Sequence, residues 1–471
     1  MASQITRREV IKRGVVGAAG LTFLPAVIAA CNNSATPSPT RTPTPSPVPT
    51  PASPTPTATP TPQSVIADLA GGLTIGSYHS DESELAGMRA ANAAFFAATG
   101  LNPVLNTIDN GTFANVMDYT TYLESTPDEV FTWFSGYRMR FFADRGLLTV
   151  IDDVWAKVSS NFTAGFAQTV TGSDGHVYGI PVDYYPWAMF YRKSVWEQKG
   201  YAIPATWDDL LALCARMKKD GLTPIAFSDK DGWPAMGTFD ILDLRLNGYD
   251  FHMGLVTGLY KWSDPRVTAV FEAWRVLVPF YTRNFAGLTW QEAADALTHK
   301  QAGMFYVGLF VTGEVSAVDK TAVDDIDFFP FPYFGNGFDA EQAIDAPVDT
   351  LVVTSKSPTL APDLHWAKAY LEFWANGSTQ LLMYEANNGF IPTASDTDLT
   401  KLDRLTARAM ALVSGAQRIT QFLDRDTRPE FAGANAMQTF LLSFLKNPMQ
   451  DLAALEDSIQ RFWDSLPDYQ G

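Results

Sequence analysis

Residues 175–200 read GHVYGIPVDYYPWAMFYRKSVWEQKG, and seven of these 26 residues are aromatic. Tyr184, Tyr185 and Trp187 flank Pro186, which interrupts an otherwise strand-like run. Flat rings held at such a break suit the recognition of a sugar. A pyranose has a face of aliphatic C–H groups and a rim of hydroxyls, so its site needs rings for the face and carboxylates, amides or guanidinium groups for the rim. A hydroxyl left unmatched in a closed site costs about 1–3 kcal/mol, so the polar partners set specificity. The competing reading is a greasy core strand, and it suits Phe190 and Tyr191, which follow in Trp187-Ala188-Met189-Phe190-Tyr191.

The other catalytic chemistries find little support. The five histidines (His79, His176, His252, His299, His365) are scattered, without metal-ligand spacing, so no metal is expected. No Gly-x-Ser-x-Gly elbow occurs, and no pair of acids is singled out for glycoside hydrolysis. Gly335-Asn336-Gly337-Phe338-Asp339-Ala340 formally matches a dinucleotide fingerprint but follows Pro332 and precedes no helical pattern, so it reads as a loop. Asp229-Lys230-Asp231-Gly232 lacks the later ligands of a calcium loop. No cofactor is expected.

Elements able to position the rings are legible from periodicity. Residues 73–78 read as a strand, and Ser80 or Asp81 can cap a helix in which Leu85, Met88, Ala91 and Phe95 recur until Gly100. Strands at 103–108 and 129–134 and helices at 114–124 and 139–145 follow. This alternation implies an α/β lobe with a mostly parallel sheet, whose ligands sit at the carboxyl ends of strands. Those ends are Tyr78-His79-Ser80-Asp81 and Trp133-Phe134-Ser135-Gly136. Beyond Pro181 the helices lengthen: 207–219 capped by Thr206, 264–281 and 290–300, with strands at 222–227, 302–310 and 326–331. A strand at 350–354 and a helix at 361–374 precede a helical C-terminal portion.

The beginning of the chain is of a different kind. Thr6-Arg7-Arg8-Glu9-Val10-Ile11-Lys12 and the apolar run 15–30 resemble a twin-arginine export signal, and Val27-Ile28-Ala29-Ala30-Cys31 resembles a lipobox with Cys31 as the point of lipid attachment. Residues 32–63 hold eleven prolines and nine threonines and read as an extended linker from a membrane anchor. The net charge is −17, and the first 63 residues carry five Lys/Arg against one Glu, which leaves −21 on the remainder. Such a field repels nucleic acid and anionic lipid. Only Cys214 remains in the folded part, on an apolar helix face, so it reads as an inert buried residue and no internal disulfide is possible there.

Several segments in order resemble the carbohydrate-binding group (family 1 type) of bacterial ABC-transporter extracellular solute-binding proteins. They are Gly172-Ser173-Asp174-Gly175-His176-Val177-Tyr178-Gly179-Ile180-Pro181, Tyr191-Arg192-Lys193 with Thr206-Trp207-Asp208-Asp209-Leu210, Ala302-Gly303-Met304, Phe329-Pro330-Phe331-Pro332 and Gly389-Phe390-Ile391-Pro392. The resemblance covers roughly residue 72 to the C-terminus. It implies an α/β, two-lobed periplasmic-binding-protein-like fold (type II) with a ligand cleft between lobes joined by hinge crossings. The expected division is 1–30 signal peptide, 31–63 lipidated cysteine and linker, 64–181 with about 346–395 as the first lobe, and 182–345 with about 396–471 as the second.

On this footing the expected ligand-binding residues are Tyr78, Asp81, Trp133, Ser135, Tyr184, Tyr185, Trp187, Trp233, Asp240, Asp349, Asp424 and Arg428, with none catalytic. The resemblance implies aromatic and polar contacts from the places of Trp133 and Trp233; for these two the other reading is a loop or core tryptophan. For the charged residues it is a solvated face or a structural ion pair. The expected function is a lipid-anchored, exported, monomeric substrate-binding component that takes a sugar or oligosaccharide to an ABC permease. Its alternatives are an exported glycoside hydrolase and a surface adhesion lipoprotein.

Overall fold

The computed structural model describes residues 72–107, 122–125, 127–357, 360 and 364–467. The expected export signal, the expected lipid-attachment residue Cys31, the expected linker and most of the helix expected at 114–124 lie outside these residues.

The strands in chain order are β1 (Thr74–Ser77), β2 (Val104–Thr107), β3 (Val130–Phe134), β4 (Gly179–Tyr184), β5 (Trp187–Arg192), β6 (Thr223–Ala226), β7 (Ala302–Gly308), β8 (Ile326–Phe329), β9 (Ile344–Asp345), β10 (Val348–Val353), β11 (Ile391–Pro392) and β12 (Ile419–Thr420). They form a six-stranded sheet in the order β11-β4-β10-β3-β1-β2, a four-stranded sheet β6-β7-β5-β8, and a β9/β12 pair. Each of the two larger sheets is the centre of one lobe.

In the first sheet β1 pairs in parallel with β2 and β3, as expected, but β10 is antiparallel to both β3 and β4, and β11 is antiparallel to β4. The sheet is therefore mixed. β10 returns to it from the other lobe and runs against its neighbours, so the amino end of β10 lies beside the carboxyl ends of β3 and β4. Asp349 sits opposite both Phe134 and Asp183.

The chain leaves the first sheet a few residues after the lobe boundary expected at residue 181. Gly179 through Tyr184 are all strand, and β5 of the second sheet begins at Trp187, so the passage is Tyr185-Pro186. Pro181 is tolerated inside β4 because the register shifts there: Asp349 opposes Asp183 and Thr350 opposes Pro181, which passes over Val182. The return runs through Ala346-Pro347, between β9 and β10. After β11 the chain goes back to the second lobe, where Arg404 and Arg408 of the helix Arg404–Gly415 pair with Asp327 on β8.

Local signals explain the helices. Glu82–Thr99 ends at Gly100, whose φ of 79° is left-handed. Trp207–Lys219 starts from a capping box between Thr206 and Asp209 and buries Leu210, Leu213, Cys214 and Met217. Burial pushes the Cys214 thiol up to about 12. No helix among the described residues is long and apolar enough to cross a membrane.

Candidate functional site

A cleft of about 630 Å³, open mouth included, lies between the lobes. The first lobe contributes Tyr78, Asp81, Glu84, Phe134, Asp349 and Phe390; the crossings contribute Tyr185 and Pro347. Trp187, Trp233, Trp290, Phe310 and Phe422 line the opposite side, and Asp424 and Arg425 come from the short helix Leu423–Asp426.

The aromatic residues form one continuous assembly. Trp187 stands edge-on to Trp233, with centroids 5.8 Å apart at 89°, and lies against Phe422 at 4.9 Å. Trp290 meets Phe310 edge-on at 5.0 Å, and Tyr185 touches Phe310 and Phe390 at 5.1 and 5.6 Å. Two backbone features hold this wall. Gly237 packs so close that a Cβ there would lie 2.7 Å from both Trp187 and Phe422. Phe422 has a φ of 122°, a strained conformation for a non-glycine residue of the kind that clusters at functional sites.

A buried charge network lines the same cleft and shares Tyr185 with the rings. Arg425 donates from Nη1 to Asp349 Oδ1 at 2.6 Å and from Nη2 to the Tyr185 hydroxyl at 2.6 Å, and its guanidinium lies 4.1 Å over the Phe134 ring. Burial opposes the Arg425 charge, but Asp349 and its neighbours outweigh it and raise the pKa above the ordinary value. Asp424 lies 3.6 Å from Arg138, and burial still pushes its carboxyl up. At the mouth both Asp81 oxygens accept from Gln291 Nε2, at 3.1 and 3.2 Å, which ties the first lobe to the helix Trp290–Thr298.

Of the twelve residues expected from sequence, Tyr78, Asp81, Tyr185, Trp187, Trp233, Asp349 and Asp424 line the cleft. Five are placed elsewhere. Trp133 is fully buried behind β3, stacked on Phe134 and edge-on to Phe142. Strand alternation sends its neighbour Phe134 to the cleft instead. Ser135 donates to Gln421 Oε1 at 3.0 Å, and Tyr184 packs on Phe166. Asp240 is buried within the helix Trp233–Asn247 and accepts from the Leu423 N–H at 2.7 Å, so it holds the segment that carries Asp424 and Arg425. Arg428 donates to the Pro467 carbonyl at 2.6 Å.

Sequence reasoning missed Glu84, Phe134, Trp290, Phe310, Pro347, Phe390, Phe422 and Arg425. Some were signalled: Phe390 lies in Gly389-Phe390-Ile391-Pro392, and Arg425 is the chain neighbour of Asp424, which was itself expected in the site. Phe422 and Phe310 carry no local signal.

A model of the family described as bacterial extracellular solute-binding protein matches residues 79–380. The alpha-glucosides-binding periplasmic protein AglE of Rhizobium meliloti (strain 1021) is 24% identical over 431 residues, spanning 84% of this chain and 87% of that protein. An uncharacterized ABC transporter extracellular-binding protein of Pyrococcus horikoshii is 24% identical over 339 residues, 71% of this chain and 72% of that one. Among solved structures, the bacterial solute receptor AcbH is 37% identical with a TM-score of 0.79, covering 84% of this chain and 99% of its own. AcbH is described as having an exclusive substrate preference for β-D-galactopyranose.

Proposed function

This chain belongs to the bacterial extracellular solute-binding proteins, and we propose that it captures a hexopyranose in the cleft between its lobes and delivers it, chemically unchanged, to an ABC permease. The observation that carries the reading is that one cleft is lined both by the rings Trp187, Trp233 and Trp290 and by the network Asp349–Arg425–Tyr185. The rings suit the C–H face of a pyranose and the charged groups suit its hydroxyl rim. β-D-Galactopyranose is the first ligand to test, because AcbH shares both the fold and 37% of the sequence.

Calorimetric titration of the folded chain with galactose, methyl β-D-galactoside, glucose and maltose tests this. Saturable one-site binding of a hexopyranose, galactose foremost, is expected. Absence of binding to all four overturns the hexopyranose reading.

Ligand contact by Tyr78, Asp81, Tyr185, Trp187, Trp233, Asp349 and Asp424 belongs to the same proposal, as do the lobe boundaries and a monomeric state. The chain is exported and held at the membrane by lipid on Cys31, with the Pro/Thr-rich segment as spacer. Cys31→Ser should then shift the protein from the membrane to the soluble fraction; equal membrane retention of both forms rejects the anchor.

A further inference from the structure

We propose that His79, Asp183 and Asp349 form a site for one divalent ion, of the zinc or manganese class, in the first lobe at the cleft wall. A ring nitrogen of His79 and a carboxylate oxygen from each aspartate lie within 4.8 Å of one another. All three residues are buried, at 1, 3 and 0% exposure. They come from distant points of the chain: His79 just after β1, Asp183 in β4 and Asp349 in β10.

The strand register makes the need for a cation specific. Asp183 and Asp349 are direct cross-strand partners, and like charges placed opposite each other destabilise a sheet. Arg425 answers Oδ1 of Asp349. Among the described residues, Asp349 Oδ2 and Asp183 Oδ1 have no hydrogen-bond partner, and burying such oxygens unmatched is costly. An ion between them removes both the repulsion and the unmet acceptors.

His79 supplies the third donor. Its ring is buried, and its Nδ1 has no hydrogen-bond partner among the described residues; a neutral imidazole offers one ring nitrogen to a metal. One imidazole with two carboxylates suits zinc or manganese better than calcium, which takes oxygen ligands. Because all three donors belong to the first lobe, the site does not require lobe closure. The ion holds Oδ2 of Asp349 while Oδ1 stays directed at Arg425, which fixes one side of the cleft network.

The test uses no sugar, so its outcome is separate from that of the hexopyranose reading. The folded chain, stripped with a chelator, is titrated calorimetrically with zinc chloride and separately with manganese chloride. One-to-one binding of at least one ion is expected, abolished or weakened by more than the roughly 10–100-fold that loss of a mere outer-shell partner costs in both Asp183→Asn and His79→Gln. Circular dichroism of each variant checks that it is folded, and the second variant serves if the first is not. Two results overturn the proposal. One is no saturable binding of either ion to the wild-type chain together with a thermal midpoint unmoved by zinc, which assigns the aspartate pair to a shared proton. The other is undiminished binding by a folded variant, which places the ion elsewhere.

Discussion

Trp187 and Trp233 share a wall but not an environment. Trp187 is 3% exposed and wedged among Trp233, Tyr306 and Phe422, whereas Trp233 is only partly buried. Trp187→Ala should therefore cost about 3–5 kcal/mol of folding stability, as for a core ring, and its loss of affinity is mixed with that instability. Trp233→Ala should lose much less stability but weaken sugar binding by about 1–2 kcal/mol, roughly 5- to 30-fold in Kd. Phe190→Ala, at a fully buried position, serves as the stability control. Calorimetric affinity beside the denaturant midpoint for each variant checks this; a Trp233→Ala protein that binds normally removes that ring from the ligand contacts.

The helices Trp233–Asn247 and Tyr249–Val256 carry a buried charge cluster behind the site. His252 Nδ1 lies 2.9 Å from Asp243 and its Nε2 lies 3.8 Å from Asp240, which in turn holds the segment bearing Arg425. Burial opposes a charge on His252, but the Asp243 hydrogen bond and the charges of Asp243, Asp345 and Asp426 outweigh it, so its pKa is raised. A raised folded pKa means that this stabilisation is fully present below the unfolded value, about 6.5, and is lost as pH rises through the folded value. Asp345, pushed up to about 6 chiefly by burial, destabilises in the same direction at lower pH. The measurement is therefore a difference: the stability gap between wild type and His252→Gln should be largest near pH 6 and shrink as pH rises above 6.5. A gap that widens with pH contradicts the assignment.

At the scale of the molecule, the tie from Asp81 to Gln291 joins the two lobes across the cleft mouth. A ligand that touches both walls adds contacts present only when the lobes are together, so it shifts the population towards the closed form. Small-angle scattering should show a smaller radius of gyration at saturating sugar, with helix content by circular dichroism unchanged. An unchanged radius alongside demonstrated binding assigns the ligand to a rigid pocket.

Much of this organisation was already determined by local chemistry. Periodicity and caps specify helices such as Trp207–Lys219, and the ordered motifs identify the family, because turns, caps and apolar spacing act over a few residues. The passage between the sheets falls at Tyr185-Pro186, after the boundary expected at residue 181, although the proline that ends one strand and begins another stands in plain view in the ring-rich stretch. A loop was one of the readings of Trp233 from sequence, whereas Gly232, with a φ of 78°, precedes a helix that begins at Trp233. Register and return crossings were decided only in three dimensions. Trp133 and Phe134 are adjacent aromatics, and the side of β3 that faces the cleft separates a core ring from a cleft ring. Asp183 lies 166 residues from Asp349 in the chain, yet a reversed strand with one bulge makes them neighbours. Arg425 likewise meets Asp349 and Tyr185 only because Asp240 anchors its helix from another element. Such meetings depend on how separate strands and helices pack, and no spacing along the chain encodes them.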